Sequence, residues 1–260
     1  VRLTFREHLA LVRRVAAALE SCHGIRPGDR VALFAANRWE WIVAFWATSW
    51  LGAIPCLMNG FWTPEELADA IALVEPALLI GDATRLERVK AVVGGTPTLC
   101  IEDDFATLID ARRAGGQELA GSPSAAPASE TIDGRAMPAP AIAEDDPAFL
   151  IFTSGTTGRA KAVTVPHRAA CGFSQVSGFT EAFGRAMFGV PLPQAGVPAP
   201  PADDVVLVTS PLFHVSMLYG AVVMGAVKGF RIVLLPGRFE PERVLQAIER
   251  ERVTLWMALG

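Results

Sequence analysis

The sequence predicts an α/β fold: two packed, largely parallel sheets with helices on both faces. Three observations carry that prediction. Short apolar runs alternate with helical segments almost from end to end. The runs, such as Val31-Ala32-Leu33-Phe34 and Ala148-Phe149-Leu150-Ile151-Phe152, are apolar at every position, so both faces of each strand are covered. The chain has 260 residues, 51% hydrophobic and 19% charged, which supports a sizeable core and excludes an intrinsically disordered chain.

Each element has its own local reason. Thr4 and Glu7 are spaced as a capping box and start a helix reaching about residue 20, with Leu9, Val12, Ala16 and Leu19 on one face. Gly24 ends it, Pro27-Gly28-Asp29 is a turn, and residues 30–34 form a strand. A helix over 39–51 and a buried strand over 53–57 follow. Thr63-Pro64-Glu65-Glu66 is a second capping box, with Pro at the first helical position of a helix to about residue 74. A strand over 77–80, a helix over 86–93 and a strand over 98–101 come next.

The pattern stops over 114–146, where twenty of 33 residues are Ala, Gly, Ser or Pro, and a flexible surface excursion is expected. Order returns with strands over 148–152 and 162–165 and a helix from about His167. A second loose stretch, 187–202, holds five prolines in 16 residues and reads as a Pro-rich insertion. The chain closes with a strand (205–209), helix (215–227), strand (231–235), helix (241–251) and strand (253–257).

Charge and cysteines exclude several function classes. The formal net charge is −4, which gives no basic surface for nucleic acid. Cys22, Cys56, Cys100 and Cys171 are scattered with no C-x-x-C pair, against a zinc ribbon or disulfide scaffold and in favour of reduced thiols in a cytoplasmic setting. Residues 41–58 run 18 positions without a charge, the lower limit for a membrane span, but Gly52 and Pro55 interrupt them, so a buried helix and strand are expected. The chain opens on Val1 and closes on Gly260, and both ends read as cut edges of something longer.

The strongest chemical signal is Thr153-Ser154-Gly155-Thr156-Thr157-Gly158-Arg159-Ala160-Lys161. It leaves the carboxyl end of a buried strand, where ligands bind in open α/β sheets. Gly155 and Gly158 allow a tight turn that points N–H groups at an anion, Thr153, Ser154, Thr156 and Thr157 add hydroxyls, and Lys161 adds a point charge. Polyphosphate is the natural guest. A Walker A loop would place Gly at 160 and Ser or Thr at 162, and both positions are Ala.

This segment resembles the acyl-adenylate-forming enzymes: acyl-CoA synthetases, amino-acid adenylation domains and luciferases. Their signature is Thr-Ser-Gly-Thr-Thr-Gly-x-Pro-Lys-Gly, and Thr153 to Lys161 with Val163-Thr164-Val165-Pro166-His167 fit it apart from Ala160 and Ala162. Arg26-Pro27-Gly28-Asp29-Arg30-Val31-Ala32, Asn37-Arg38-Trp39-Glu40-Trp41, Leu57-Met58-Asn59 and Thr63-Pro64-Glu65-Glu66-Leu67 are similar too. The resemblance implies an incomplete N-terminal domain of such an enzyme. In it, 1–58 would pair with 203–260 as one subdomain and 59–202 would form the other. It also implies ATP with Mg²⁺ and coenzyme A as co-substrates, and a carboxylic acid, a fatty acid in the first instance, as substrate. With a lipid substrate, peripheral membrane contact would follow. Thr153 and Lys161 would be the catalytic residues, and Thr153, Ser154, Gly155, Thr156, Thr157, Gly158 and Lys161 would bind the nucleotide. No residue of this chain is assigned to a metal.

The same resemblance makes Phe213, His214 and Ser216 walls of the acid pocket. Amino-acid adenylation domains carry Phe-Asp-x-Ser there, whose Asp holds the substrate ammonium. Here His214 stands in its place, and a cation gains nothing from a neutral imidazole and is repelled by a charged one. His167 reads as a helix start. The family's adenine-contacting segment, ribose-binding Asp, hinge and adenylation Lys come later than residue 260, so no turnover is expected from this chain alone. Three readings stand against the leading one: an amino-acid adenylation domain, a truncated non-catalytic fragment, and a membrane protein built on 41–58 and 215–227.

Overall fold

The computed structural model describes residues 1–110, 131–132, 135–136, 140–153, 161–189, 204–235 and 237–256. Helix α1 (Phe5–His23) starts at the expected capping box: Glu7 N–H donates to Thr4 Oγ1 at 3.2 Å and Thr4 N–H to Glu7 Oε2 at 2.7 Å. Gly24, at φ 69°, takes the left-handed conformation that ends the helix. The inward face is Val12, Val15, Ala16, Ala18 and Leu19, whereas Leu9 is exposed. Strand β1 (Arg30–Phe34), helix α2 (Trp39–Trp50) and strand β2 (Ile54–Leu57) follow. Helix α3 (Pro64–Val74) carries the second capping box on Thr63 and Glu66, and leads to β3 (Leu78–Gly81), α4 (Ala83–Val89) and β4 (Thr98–Cys100).

Helix α5 (Ile101–Asp110) follows β4 directly and corrects the expected strand to residue 101. Ile101, Phe105 and Leu108 lie on one face and are buried, while Glu102, Asp103 and Asp104 crowd the first turn, where a helix dipole favours negative charge. Within the stretch expected to be an excursion, β5 (Thr131–Ile132) and β6 (Arg135–Ala136) pair antiparallel. Residues 140–146 are held, with Arg168 N–H donating to Glu144 O at 2.7 Å and His167 N–H to Asp146 O at 3.0 Å. The rest of 114–139, like 190–202 of the Pro-rich stretch, lies outside the described residues.

Strands β7 (Pro147–Thr153) and β8 (Lys161–Pro166) form an antiparallel pair, and α6 (His167–Met187) continues from β8. After β9 (Val205–Val208) the helix expected over 215–227 runs in three pieces: α7 (Val215–Met217), a π-helical stretch (Leu218–Val223) and α8 (Met224–Lys228). Strand β10 (Arg231–Leu234), helix α9 (Pro241–Glu251) and β11 (Leu255–Trp256) close the described chain.

The larger sheet has the order β4-β3-β1-β2-β7-β8, parallel except for β8, and the smaller is the parallel β10-β9-β11. The strands of 1–58 are central to the sheet that holds β3, β4, β7 and β8, and only β9, β10 and β11 make the other. Sequential strands joined by short helical crossovers tend to become neighbours, which keeps β1, β2 and β3 together.

The alternating sides of the strands explain why their sequences are apolar throughout. Val31 and Leu33 of β1 face a core shared with α1, α2 and α5, and Ala32 and Phe34 face a second core with α3 and α4. In the smaller sheet Val206 and Val208 join the first core and Leu207 packs on Val244 and Ala247 of α9. Helices thus cover both faces of the larger sheet, and the two sheets share one apolar core. Among the described residues no helix is long and apolar enough to cross a membrane, and residues 41–58 are spent on α2 and β2.

Candidate functional site

Strands β2 and β7 are parallel neighbours, so their carboxyl ends, Leu57 and Thr153, open on the same edge of the sheet. The segment after β9 turns across that edge and delivers Phe213 and His214. Leu57, Asn59, Trp62, Phe152, Thr153, Phe213 and His214 line a cleft of about 100 Å³ there. Pockets that enclose a whole small ligand span roughly 300–1,000 Å³, so this cleft by itself is smaller than a complete ligand pocket.

Thr153 and Lys161 are the last cross-strand pair of the β7–β8 ladder, and both are exposed. Directly paired residues in such a ladder are about 5 Å apart at Cα. The glycine- and hydroxyl-rich segment therefore leaves and re-enters the sheet at one spot beside the cleft, with a hydroxyl at one root and an ammonium at the other. Ser154, Gly155, Thr156, Thr157 and Gly158 themselves lie outside the described residues.

His214 is the residue preceding α7, where its carbonyl accepts from Met217 N–H at 3.1 Å and Leu218 N–H at 2.9 Å. Its imidazole makes no capping bond, is exposed on the cleft side and lies 4.7 Å, centroid to centroid, from the Phe213 ring. Ser216 is half-buried on α7 and is not among the residues that line the cleft. His167 sits at the first position of α6, with its N–H bonded to Asp146 O.

Sequence reasoning gave no site role to Asn59, Trp62 and Phe152. Trp62 meets Phe152 edge to face at 4.9 Å, and Phe61 meets Phe213 in the same way at 5.9 Å. The loop is braced from below. Asn59 Oδ1 accepts from Phe61 N–H at 2.9 Å, and Arg88 Nη2 donates to Gly60 O at 3.0 Å. A Cβ on Gly60 would come within 2.8 Å of Arg85 Nε, so a larger residue there would displace the guanidinium. The available signal was an Asn and two aromatics between a buried strand and a capped helix, a place where surface chain ordinarily carries polar residues.

Cys56 and Arg38, near this edge, are structural. Burial pushes the Cys56 thiol up to about 12, so it is no nucleophile. Burial opposes the Arg38 charge, but hydrogen bonds and charge from Glu40 and Glu102 outweigh it and hold the guanidinium above its usual range. Among the described residues no group of three or more His, Cys, Asp or Glu is placed to hold a metal ion.

A mostly parallel six-stranded sheet whose β7–β8 pair flanks a segment of phosphate-loop composition, beside an aromatic cleft, is the α/β class in which ligands bind at strand carboxyl ends. The comparisons with known proteins sharpen this. The chain belongs to the AMP-binding enzyme family, whose model matches residues 1–260. It is 35% identical to 4-coumarate–CoA ligase 2 of Oryza sativa subsp. japonica, over 97% of this chain and 42% of that protein. The fold is similar to that of O-succinylbenzoate coenzyme A synthetase from Bacillus subtilis in complex with AMP, with a TM-score of 0.70, 26% identity, and coverage of 98% of this chain and 55% of that one. The same enzyme in complex with ATP and magnesium ion gives a TM-score of 0.67 at 25% identity, with 98% and 56% covered. The chain therefore spans about half the length of the proteins it matches.

Proposed function

We propose that this chain forms the phosphate- and acid-facing part of an AMP-forming acid–CoA ligase. The reaction has two halves. A carboxylate oxygen attacks the α-phosphorus of ATP, the bond to the bridging oxygen breaks, and pyrophosphate leaves with the acyl-adenylate formed. The thiol of coenzyme A then attacks the acyl carbon, loses its proton, and displaces AMP. The single observation that supports this best is the cleft in which Thr153, at the root of the phosphate-loop segment, stands beside Phe213 and His214.

Catalysis of the first half is mainly positioning and charge neutralisation. In this reading the Thr153 hydroxyl and Lys161 ammonium hold the phosphate chain, and Phe213 and His214 orient the acid. Magnesium, when bound, neutralises phosphate charge, and this chain is assigned no ligand to it. The lack of a carboxylate at His214 speaks against an amino acid. A fatty acid is the expected substrate class. A second reading, an aryl acid, is favoured by the rings of Trp62, Phe152 and Phe213 around the cleft, which match a flat apolar guest. A cytoplasmic setting belongs to the same proposal.

ATP–pyrophosphate exchange on the complete enzyme tests it, with fatty, aryl and amino acids offered in turn. Lys161→Ala should lower exchange about 100-fold or more, as removal of a charge-stabilising donor does. It should change stability by less than about 0.5 kcal/mol, since Lys161 is exposed. Unchanged exchange with a lowered Tm would make Lys161 structural. The 260-residue chain alone should show no acyl transfer.

A further inference from the structure

We infer that Asn37 is a positioning residue: its carboxamide clasps the segment from Ser210 to Leu212 and so sets where Phe213 and His214 stand against Thr153. The inference rests on the acid-activating reading above and goes beyond it by assigning a residue outside the cleft.

The problem the clasp solves follows from the topology. Thr153 belongs to the larger sheet, and Phe213 and His214 hang from the carboxyl end of β9 in the smaller one. Among the described residues backbone pairing does not cross between the two sheets, so the cleft's two halves are aligned by side chains. Apolar packing is non-directional and leaves a loop free to slide by fractions of an ångström. A bidentate amide does not.

Asn37 spends both of its polar atoms on that loop. Its Nδ2 donates to Ser210 O at 2.8 Å, and its Oδ1 accepts from Leu212 N–H at 2.8 Å. Among the described residues these are the hydrogen bonds that tie residues 209–214 to the larger sheet and its helices. Leu212 is fully buried, so its N–H has no access to water as a substitute partner.

The stem of Asn37 is itself anchored. It lies just past the end of β1, and the preceding Ala36 N–H donates to Asp82 Oδ2 at 2.8 Å. Asp82 is buried at the end of β3. Its Oδ2 also accepts from Arg85 Nη1 at 2.7 Å, and its Oδ1 from Arg85 N–H at 2.9 Å. A fixed carboxylate thus holds the backbone that presents the carboxamide. The chain runs Arg85, Asp82, Ala36, Asn37, then the loop of Phe213 and His214, from the larger sheet to the acid side of the cleft.

The test is a pair of measurements on the complete enzyme carrying Asn37→Ala, made well below the variant's Tm. In ATP–pyrophosphate exchange, the KM for the acid should rise about tenfold while the KM for ATP stays within about twofold, because only the acid side of the cleft is displaced. In hydrogen exchange, the amides of 209–217 should lose protection while those of β7 keep theirs. Asn37→Asp keeps the Leu212 bond, gives up the Ser210 bond, and should show the same split at smaller size; it serves where the alanine variant does not fold. A merely structural residue would lower kcat with the folded fraction and leave both KM values unchanged, and that result overturns the inference. So does unaltered protection of 209–217. An enzyme showing no exchange with any acid would sink the functional reading instead, and the hydrogen-exchange arm would still decide the clasp.

Discussion

Helices α2 and α6 stand at opposite ends of the burial range. In α2, Trp41, Ile42, Val43, Ala44, Phe45, Ala47 and Thr48 are buried. In α6, which is longer at 21 residues, none is. Composition separates them in part: α2 carries one charged residue in 12, whereas α6 carries three in 21 among many small and polar ones. Place in the sheet does the rest. Helix α2 is wedged between α1 and the centre of the larger sheet, with apolar neighbours on nearly every side. Helix α6 follows the edge strand β8 and touches the core through Ala170, while Phe173 leans on Tyr219 with ring centroids 4.4 Å apart. Burial is a property of neighbours, and one helix has them where the other does not.

The largest break in this comparison should come from Trp41→Ala. The indole is 1% exposed and stacks on Phe45 with ring centroids 5.8 Å apart. Removing a buried aromatic from a packed core costs about 3–5 kcal/mol, a large share of a domain's total stability. Urea denaturation of the complete protein measures it. A cost under about 1 kcal/mol, the size of a surface change, would mean that α2 is not packed as described.

A smaller effect tests whether α2 is held by apolar contact alone. Arg38, just before α2, pairs with Glu40 at 3.0 Å and also with Glu102 of α5, whose other oxygen accepts from Ala83 N–H at 2.8 Å. Burial works to raise the Glu102 pKa, but the Ala83 N–H and the Arg38 guanidinium outweigh it and hold the carboxyl below the ordinary 4.5. A depressed folded-state pKa gives stability that is present above the unfolded value and is lost as pH falls through the folded one. Glu102→Gln should therefore cost about 1 kcal/mol or less at neutral pH, discounted for the side chain's partial exposure. The gap to the wild type should close once the pH drops well under 4.5. A gap that persists in acid would mean that shape, not charge, matters there.

How much of this was legible in the sequence differs by kind of interaction. Helix starts were readable because a capping box is local: Thr4 with Glu7 and Thr63 with Glu66 sit three residues apart and bond as the spacing requires. Apolar strands were readable because β1 has a core on each face. Helix α5 was missed, since its apolar positions follow β4 without a break and its acidic first turn reads as loop. Which strands share a sheet was not legible, because pairing partners lie far apart in sequence. The site was half legible. Thr153, Phe213 and His214 stood in recognisable segments, but Trp62 and Asn37 act through contacts that local sequence does not encode. The Asn37 bonds span 173 and 175 positions.

The smallest expected effect falls on α6 and sharpens the comparison from its other side. Phe179 is 70% exposed and Phe183 57% exposed, and their rings stack on each other with centroids 6.2 Å apart rather than on a core. Truncating a side chain that is already in water removes little buried area, so the transfer and cavity costs that apply to Trp41 are nearly absent here. Serine also has a slightly lower helix propensity than the best helix formers, which adds at most a few tenths of a kcal/mol. Phe179→Ser in this chain should therefore change stability by less than about 0.5 kcal/mol in the same urea experiment. A loss of about 2 kcal/mol or more would show that Phe179 is buried against something in solution, and α6 would then have to be regrouped with α2.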